Sequence, residues 1–268
     1  MITHNITKLK FFFSTILCFF GFKKQVKKIK GVGLFELDIS YYIDRCIFVN
    51  HGYESDSIFR LIEILKTYDL KHFSFLDIGS NIGLYAIAIK SNFPGSKVFA
   101  FEPTSFTFAR LIKNIEINNL RISASKKAIS NFNGTSKLYH SNSRSFLYGE
   151  NSGMNSLEYS QKKKRTDNFG YELIDVISCK KLLELLPKDQ VLIIKLDIEE
   201  HEFTVLQDLL PIIHSKSLTL FQVELLWSEP MMVDKCDRIH SLLLENDFRA
   251  ESEILEKKSG NYIYLRNF

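Results

Sequence analysis

Between Phe75 and Ala88 the chain reads FLDIGSNIGLYAIA. An apolar strand-length run, a turn with two glycines and a stretch with helical spacing follow one another without a break. We read Phe73 to Ile78 as the strand and Leu84 to Lys90 as the helix. Gly79 and Gly83 let the backbone turn tightly and let a ligand approach main-chain N–H groups at the helix N-terminus. Nineteen residues beyond Gly83, Glu102 ends the next apolar run, where a carboxylate can accept both hydroxyls of an adenosine ribose. Turn, helix and acid at this spacing suit a nucleoside-bearing cofactor. In a dinucleotide-binding turn the middle glycine lets the backbone touch a pyrophosphate, and Asn81 in its place would crowd one. Asp77, just before the turn, favours positive charge nearby. S-adenosyl-L-methionine, cationic at sulfur and free of phosphate, therefore fits better than NAD.

The rest of the chain supports a layered α/β fold. Ser57 to Leu65 places Ile58, Leu61, Ile62 and Leu65 at helical spacing ahead of the first core strand. After it come a strand at Val98 to Phe101, a helix at Phe106 to Asn118 and a short strand around Ile122 to Ser125, the βαβα rhythm of a parallel sheet. Ser141 to Gly170 is rich in Ser, Asn, Lys and Gly and should be irregular. The part around Asn151 to Leu157 is expected over the active site. The basic run Lys162 to Arg165 reads as a solvated loop, or as attraction for an acidic acceptor. The rhythm resumes with a helix near Lys180 to Leu186, a strand from Val191, a helix from Glu202 to Leu210 and a strand from Leu218. Upstream, LFELDIS and CIFVN suggest a small antiparallel preface. Residues 1 to 30 are taken as a separate basic and apolar segment, and residues 31 to 268 as one domain.

A second cluster lies in VLIIKLDIEEHE, Val191 to Glu202. A central strand should be continuously apolar, yet Lys195, Asp197 and Glu199 recur here at period two and should share a face. A buried lysine needs a partner, and Glu224 in the following strand is the expected one. Asp197 falls at the carboxyl end of its strand, where open α/β sheets bind ligands.

Charge narrows the partners. Residues 1 to 30 hold seven lysines and no acid, which leaves −3 on the remainder of a chain whose total is +4. A folded body of that sign argues against nucleic acid as its partner. Four widely spaced cysteines without a CxxC pair fit a reducing compartment. Seven histidines without HxxxH or HxH spacing offer no local metal site, although a carboxylate metal site stays open. Phe11 to Phe22 is an apolar run of 12 residues, against about 20 for a membrane-spanning helix. It leads into KKQVKKIK rather than a small-residue cleavage site. The expected location is cytoplasmic. The segment is either a helix packed on the domain or an interfacial anchor on the inner face of the membrane.

Several blocks in order resemble the FkbM-type family of class I S-adenosylmethionine-dependent methyltransferases: HGYESD at His51 to Asp56, FLDIGSNIGLYAIA, FAFEPTSFTFARLIKNIEINNL at Phe99 to Leu120, KKAIS at Lys126 to Ser130, IIKLDIEEHEFTVLQ at Ile193 to Gln207, and VELLW at Val223 to Trp227. The block at Ile193 usually reads KIDVEGxE in that family, and Glu200 stands here where glycine is usual. The resemblance implies a doubly wound, mostly parallel, seven-stranded Rossmann-like sheet with an N-terminal extension. It also implies methyl transfer to a hydroxyl of a glycan, sugar or secondary metabolite. By motif, Asp77, Gly79, Asn81 and Gly83 would hold the methionine part of the cofactor, Glu102 the ribose and Ala128 the adenine edge. Glu54 would close the site from the N-terminal side. Asp197 would lie near the reactive methyl, supported by Lys195 and Glu199, with Asp197 or Glu199 as general base. Two rivals remain: an NAD-dependent oxidoreductase, which would use the same turn and Glu102, and a non-catalytic membrane-surface scaffold.

Overall fold

The structure is a computed structural model that describes residues 2–139, 144–145, 149–150, 171–187, 191–213, 218–251 and 258–267. Its elements run α1 (Ile2–Phe19), β1 (Lys24–Ile29), β2 (Gly33–Asp38), α2 (Tyr42–Asn50), α3 (Ser55–Thr67), β3 (Phe73–Ile78), α4 (Leu84–Asn92), β4 (Lys97–Phe101), α5 (Ser105–Ile117), β5 (Ser123–Ser125), β6 (Ala128–Ser130) and β7 (Gly134–Tyr139). They continue with β8 (Arg144–Ser145), β9 (Gly149–Glu150), β10 (Tyr171–Ser178), α6 (Cys179–Glu184), β11 (Val191–Leu196), α7 (Glu202–Leu209), β12 (Thr219–Leu225), α8 (Val233–Glu245), β13 (Arg249–Ala250) and β14 (Gly260–Arg266).

Seven strands form one sheet in the order β13-β14-β12-β11-β3-β4-β5. Five of them are parallel, and β14 and β13 close one edge antiparallel. Every residue of β3 is buried, as expected of a central strand covered on both faces. Alternation along the strands feeds two cores. Phe73, Phe75 and Ile193 pack with α3, α4 and α5 on one face, and Leu76, Ile78 and Ile194 pack with α6, α7 and α8 on the other. From β3 the chain moves outward through β4 and β5, and then returns to β11 on the other flank. The order thus reverses between β3 and β11, the place where such sheets open a crevice at their carboxyl edge.

Three sequence readings change. CIFVN is not a strand but the second half of α2, because Cys46, Ile47 and Val49 are buried at helical spacing. Asp44 is buried in the same helix, where it accepts from the Asp38 N–H and pairs with Arg110 of α5. The partner of LFELD is instead β1, so part of the basic N-terminal stretch is a strand in register with Gly33–Asp38. A further strand, β10, precedes the expected helix near Lys180 and joins β6 and β7 in a second sheet. Within Ser141 to Gly170 the described residues form the pairing of β8 with β9. Asn151 to Leu157 and Lys162 to Arg165 lie outside the described residues.

Candidate functional site

The glycine turn sits where β3, β4 and β11 end together. Gly79 has φ +83°, and a Cβ there would stand 1.8 Å from the Asp197 carbonyl oxygen. Glycine is required because the end of β11 passes this close, and because the conformation is left-handed. Its N–H and that of Ser80 both donate to the Phe101 carbonyl, at 3.0 and 2.9 Å. Asn81 has φ +49°, a backbone state that asparagine tolerates better than most residues. Gly83, at φ +93°, is the N-cap of α4. Asp77 lies beneath this turn and is fully buried. Its carboxylate accepts from the Ala86 N–H at 3.0 Å, which satisfies a free donor of the first turn of α4.

Glu102 follows β4 and is 8% exposed. Its carboxylate accepts from the N–H of Asn81 at 3.1 Å. The Thr104 N–H and hydroxyl also donate to it, at 3.0 and 2.6 Å. Burial pushes the Glu102 carboxyl up from its ordinary range, and the bonds from Thr104 and Asn81 oppose that. The carboxylate is therefore fixed at the strand end, with acceptor capacity for hydroxyl donors left on Oε2, which carries the bond from Asn81.

Across the sheet, register creates a polar row on the α4 face. Lys195 pairs with Asp77 on one side and Gln222 on the other. The Lys195 ammonium donates to Asp197 at 3.0 Å and to the Gly79 carbonyl at 3.2 Å, and it stands 3.7 Å from Asp77 and over the ring of Tyr85. Burial disfavours its charge, but Asp197, Asp77 and Glu54 together outweigh that and push its pKa up. The expected pairing of Lys195 with Glu224 is corrected here. Glu224 lies two residues beyond Gln222 on β12, level with position 197 rather than 195, so Asp197 and Asp77 hold the lysine instead.

Glu224 joins a second group of acids at the mouth. It lines one cleft with Glu54, Lys195, Asp197 and Glu199. Burial, then the charges of Asp197, Glu54 and Glu202, push the Glu224 carboxyl from 4.5 up to about 8, against a smaller pull from Lys195. Burial and Asp197 likewise raise Glu54. Tyr85 donates to Glu54 while accepting from the Gln222 side-chain amide at 2.7 Å. Tyr53, beside Glu54 in the chain, is also raised, first by burial. Glu199 does not continue the strand face of Lys195 and Asp197. The strand ends at Leu196, and Glu199 and Glu200 take φ +50° and +77°.

Glu54, Gly79, Asn81, Glu102, Ala128, Lys195, Asp197 and Glu199 are thus brought to one cleft, whereas Asp77 and Gly83 support it from beneath and behind. Sequence reasoning missed Tyr53, Tyr85 and Gln222. The two tyrosines lie inside the quoted blocks, but only register and packing reveal that Tyr85 bridges Gln222 to Glu54. Among the described residues no three His, Cys, Asp or Glu side chains are grouped to hold a metal ion.

The donor set fits a nucleoside that carries a positive charge. Glu102 offers acceptors for vicinal hydroxyls, Phe101, Ala128 and Ile129 offer an apolar wall, and four carboxylates surround one lysine at the other end.

Comparison with known proteins places the chain among methyltransferases. The methyltransferase FkbM domain matches residues 77–250. "Methyltransferase 1" of Beauveria bassiana (strain ARSEF 2860) is 38% identical over 71 residues, 25% of this chain and 28% of that protein. Among solved structures, the methyltransferase FkbM from Methylobacillus flagellatus KT is similar with a TM-score of 0.45 and 14% identity, over 73% of this chain and 44% of that one. A ribosomal protein L11 methylase from Lactobacillus delbrueckii subsp. bulgaricus has a TM-score of 0.42 and 12% identity, covering 81% of each chain. The chain spans less than a third of the curated relative and less than half of the FkbM structure.

Proposed function

The chain belongs to the FkbM methyltransferase family, and from that premise we propose that it moves a methyl group from S-adenosyl-L-methionine to a hydroxyl oxygen of a sugar, glycan or secondary-metabolite acceptor. The observation that carries this reading is the excess of carboxyl groups over lysines in the cleft: Glu54, Glu102, Asp197, Glu199 and Glu224 line it against Lys127 and Lys195, with Asp77 buried beneath. Such a site favours a cationic ligand and disfavours a pyrophosphate, which sets it apart from a nicotinamide site. The net −3 of residues 31 to 268 likewise favours a small acceptor over nucleic acid.

When bound, the cofactor supplies a methyl group on a cationic sulfur. The chain's own residues do the rest. Glu102 takes the ribose hydroxyls, with its orientation fixed by Asn81 and Thr104. Gly79, Asn81 and Gly83 shape the turn against the methionine part, and Ala128 borders the base. Lys195 ties Asp197 to the Gly79 carbonyl, so the catalytic carboxylate and the cofactor turn keep one spacing. Asp197 is the more open member of that pair, 23% exposed against 4% for Lys195, and it serves as the general base. It takes the proton of the acceptor hydroxyl as that oxygen gains the methyl. Glu199 flanks it, and Glu54 closes the cleft from the α3 side. Holding the two reactants in line is worth about 7 to 11 kcal/mol, and a positioned base adds about 10²- to 10⁴-fold.

Calorimetric titration tests the cofactor. S-adenosylmethionine and S-adenosylhomocysteine should bind and NAD should not. Glu102→Ala should weaken both by about 10- to 100-fold, the scale of lost bonds to a charged acceptor. NAD binding, or cofactor binding indifferent to Glu102, would overturn the reading.

A further inference from the structure

A surface helix of a soluble domain normally turns its apolar stripe inward and its polar residues outward. The helix α1 does the reverse over its described side chains. Its inward face is polar: Ser14 is fully buried, Thr15 accepts from the Arg45 guanidinium at 3.1 Å, and Cys18 accepts from the same group at 3.7 Å. Arg45 itself donates to the Ile39 carbonyl at 2.7 Å. Phe11 adds one apolar anchor against Cys46 and Val49 of α2. The outward face holds Phe12, Phe13, Ile16, Phe19 and Phe20, which at 100° per residue fall in an arc of about 120°. Phe19 is 86% and Phe20 69% exposed, and Phe22 extends the patch.

The charges that flank this patch along the chain are positive. Lys10, Lys23, Lys24, Lys28 and Lys30 are all exposed. Lys27 is not part of the set, because its ammonium donates to the carbonyls of Ile47 and Phe48 at the end of α2. Glu36 and Asp38 on the paired strand are half-buried and offset only part of the charge. A second copy of this chain meeting the patch symmetrically would bring lysines against lysines. An anionic bilayer instead accepts the phenylalanines below its headgroups and neutralises the lysines. Among the described residues no helix is long and apolar enough to cross a membrane, so contact would be in the plane of the surface.

We propose that α1 and β1 form a docking surface for anionic lipid, with the outward phenylalanines inserted at the headgroup boundary and the five exposed lysines on the lipid charges. The polar inward face, locked by Arg45, fixes the phenylalanines outward on the folded domain rather than leaving them on a loose tail. Flotation of the full chain with vesicles of phosphatidylcholine, with and without phosphatidylglycerol, tests this. Binding is expected to the anionic vesicles alone and to fall with added salt. Phe19→Ser with Phe20→Ser, and separately Lys24→Glu with Lys28→Glu, should each lower the bound fraction about tenfold or more without moving the thermal midpoint. Equal binding to neutral vesicles, absence of binding by the parent chain, or variants that float like the parent would overturn the proposal. So would a dimer in light scattering that the phenylalanine substitutions dissolve, which would assign the face to a second copy.

Discussion

The two ends of the cleft hold carboxylates in opposite condition. At one end Glu102 is gripped by two N–H groups and a hydroxyl, which oppose the upward push of burial on its carboxyl. At the other end Glu54, Asp197 and Glu224 act on one another, and Lys195 is the cation that opposes them. A carboxylate held by fixed donors is ready for neutral hydroxyls and needs no rearrangement to take them. At the crowded end burial and neighbouring carboxylates raise Glu54 and Glu224, and groups so raised favour their protonated form until a cation arrives. The first end suits recognition, and the second suits charge and proton movement.

The largest test of that division is Asp197→Asn. If the crowded end handles the proton, single-turnover methyl transfer should fall about 10²- to 10⁴-fold, while affinity for the neutral S-adenosylhomocysteine, measured by calorimetry, changes little, because Lys195 keeps Asp77. An equal loss in affinity and turnover would merge the two ends into one binding site.

A pH series sharpens the contrast. Glu224, raised to about 8 by burial and by Asp197, Glu54 and Glu202, is protonated at neutral pH, and a nearby sulfonium favours its ionised form. Binding of the cationic cofactor should then release a proton. Its affinity should rise as pH climbs toward 8, by up to about tenfold per pH unit for one proton, whereas neutral S-adenosylhomocysteine should show a flatter profile. The same shift fixes the sign for stability. The unfolded chain loses this proton near 4.5 and the folded one near 8, so Glu224's contribution is full below 4.5 and is lost as pH rises to 8. Glu224→Gln should therefore gain thermal stability over the parent at pH 8 and lose that advantage at pH 4.

The smallest effect concerns the bend between the ends. Glu200 takes φ +77° where the family usually has glycine. Left-handed backbone costs about 1 to 2 kcal/mol for a side-chain-bearing residue, part of which glycine returns through unfolded-state entropy. Glu200→Gly should raise the denaturation midpoint by about 1 kcal/mol in stability with an unchanged denaturant slope.

Much of this was legible from local pattern. The strand–turn–helix at Phe73 to Lys90 and the helix beginning near Phe106 rest on glycine, periodicity and apolar runs, which act over a few residues. The helical character of CIFVN was not legible. Its helix buries Asp44 and Arg45, whose partners are Arg110, 66 positions away, and the backbone of Asp38 and Ile39. Strand β10 was hidden because its pairing with β6 and β7 comes from residues far earlier in the chain.

The site divides in the same way. Sequence by itself determined the glycine turn, Glu102 at the next strand end and Asp197 at the carboxyl end of its strand, since spacing along one strand and one turn sets those positions. Only the tertiary structure decided that Lys195 belongs to Asp197 and Asp77 rather than Glu224, and that Tyr85 bridges Gln222 to Glu54. It also decided that the phenylalanines of α1 face outward. Which strand lies beside which, and at what register, depends on how separate hydrophobic faces pack together, and a linear pattern does not encode that partner choice.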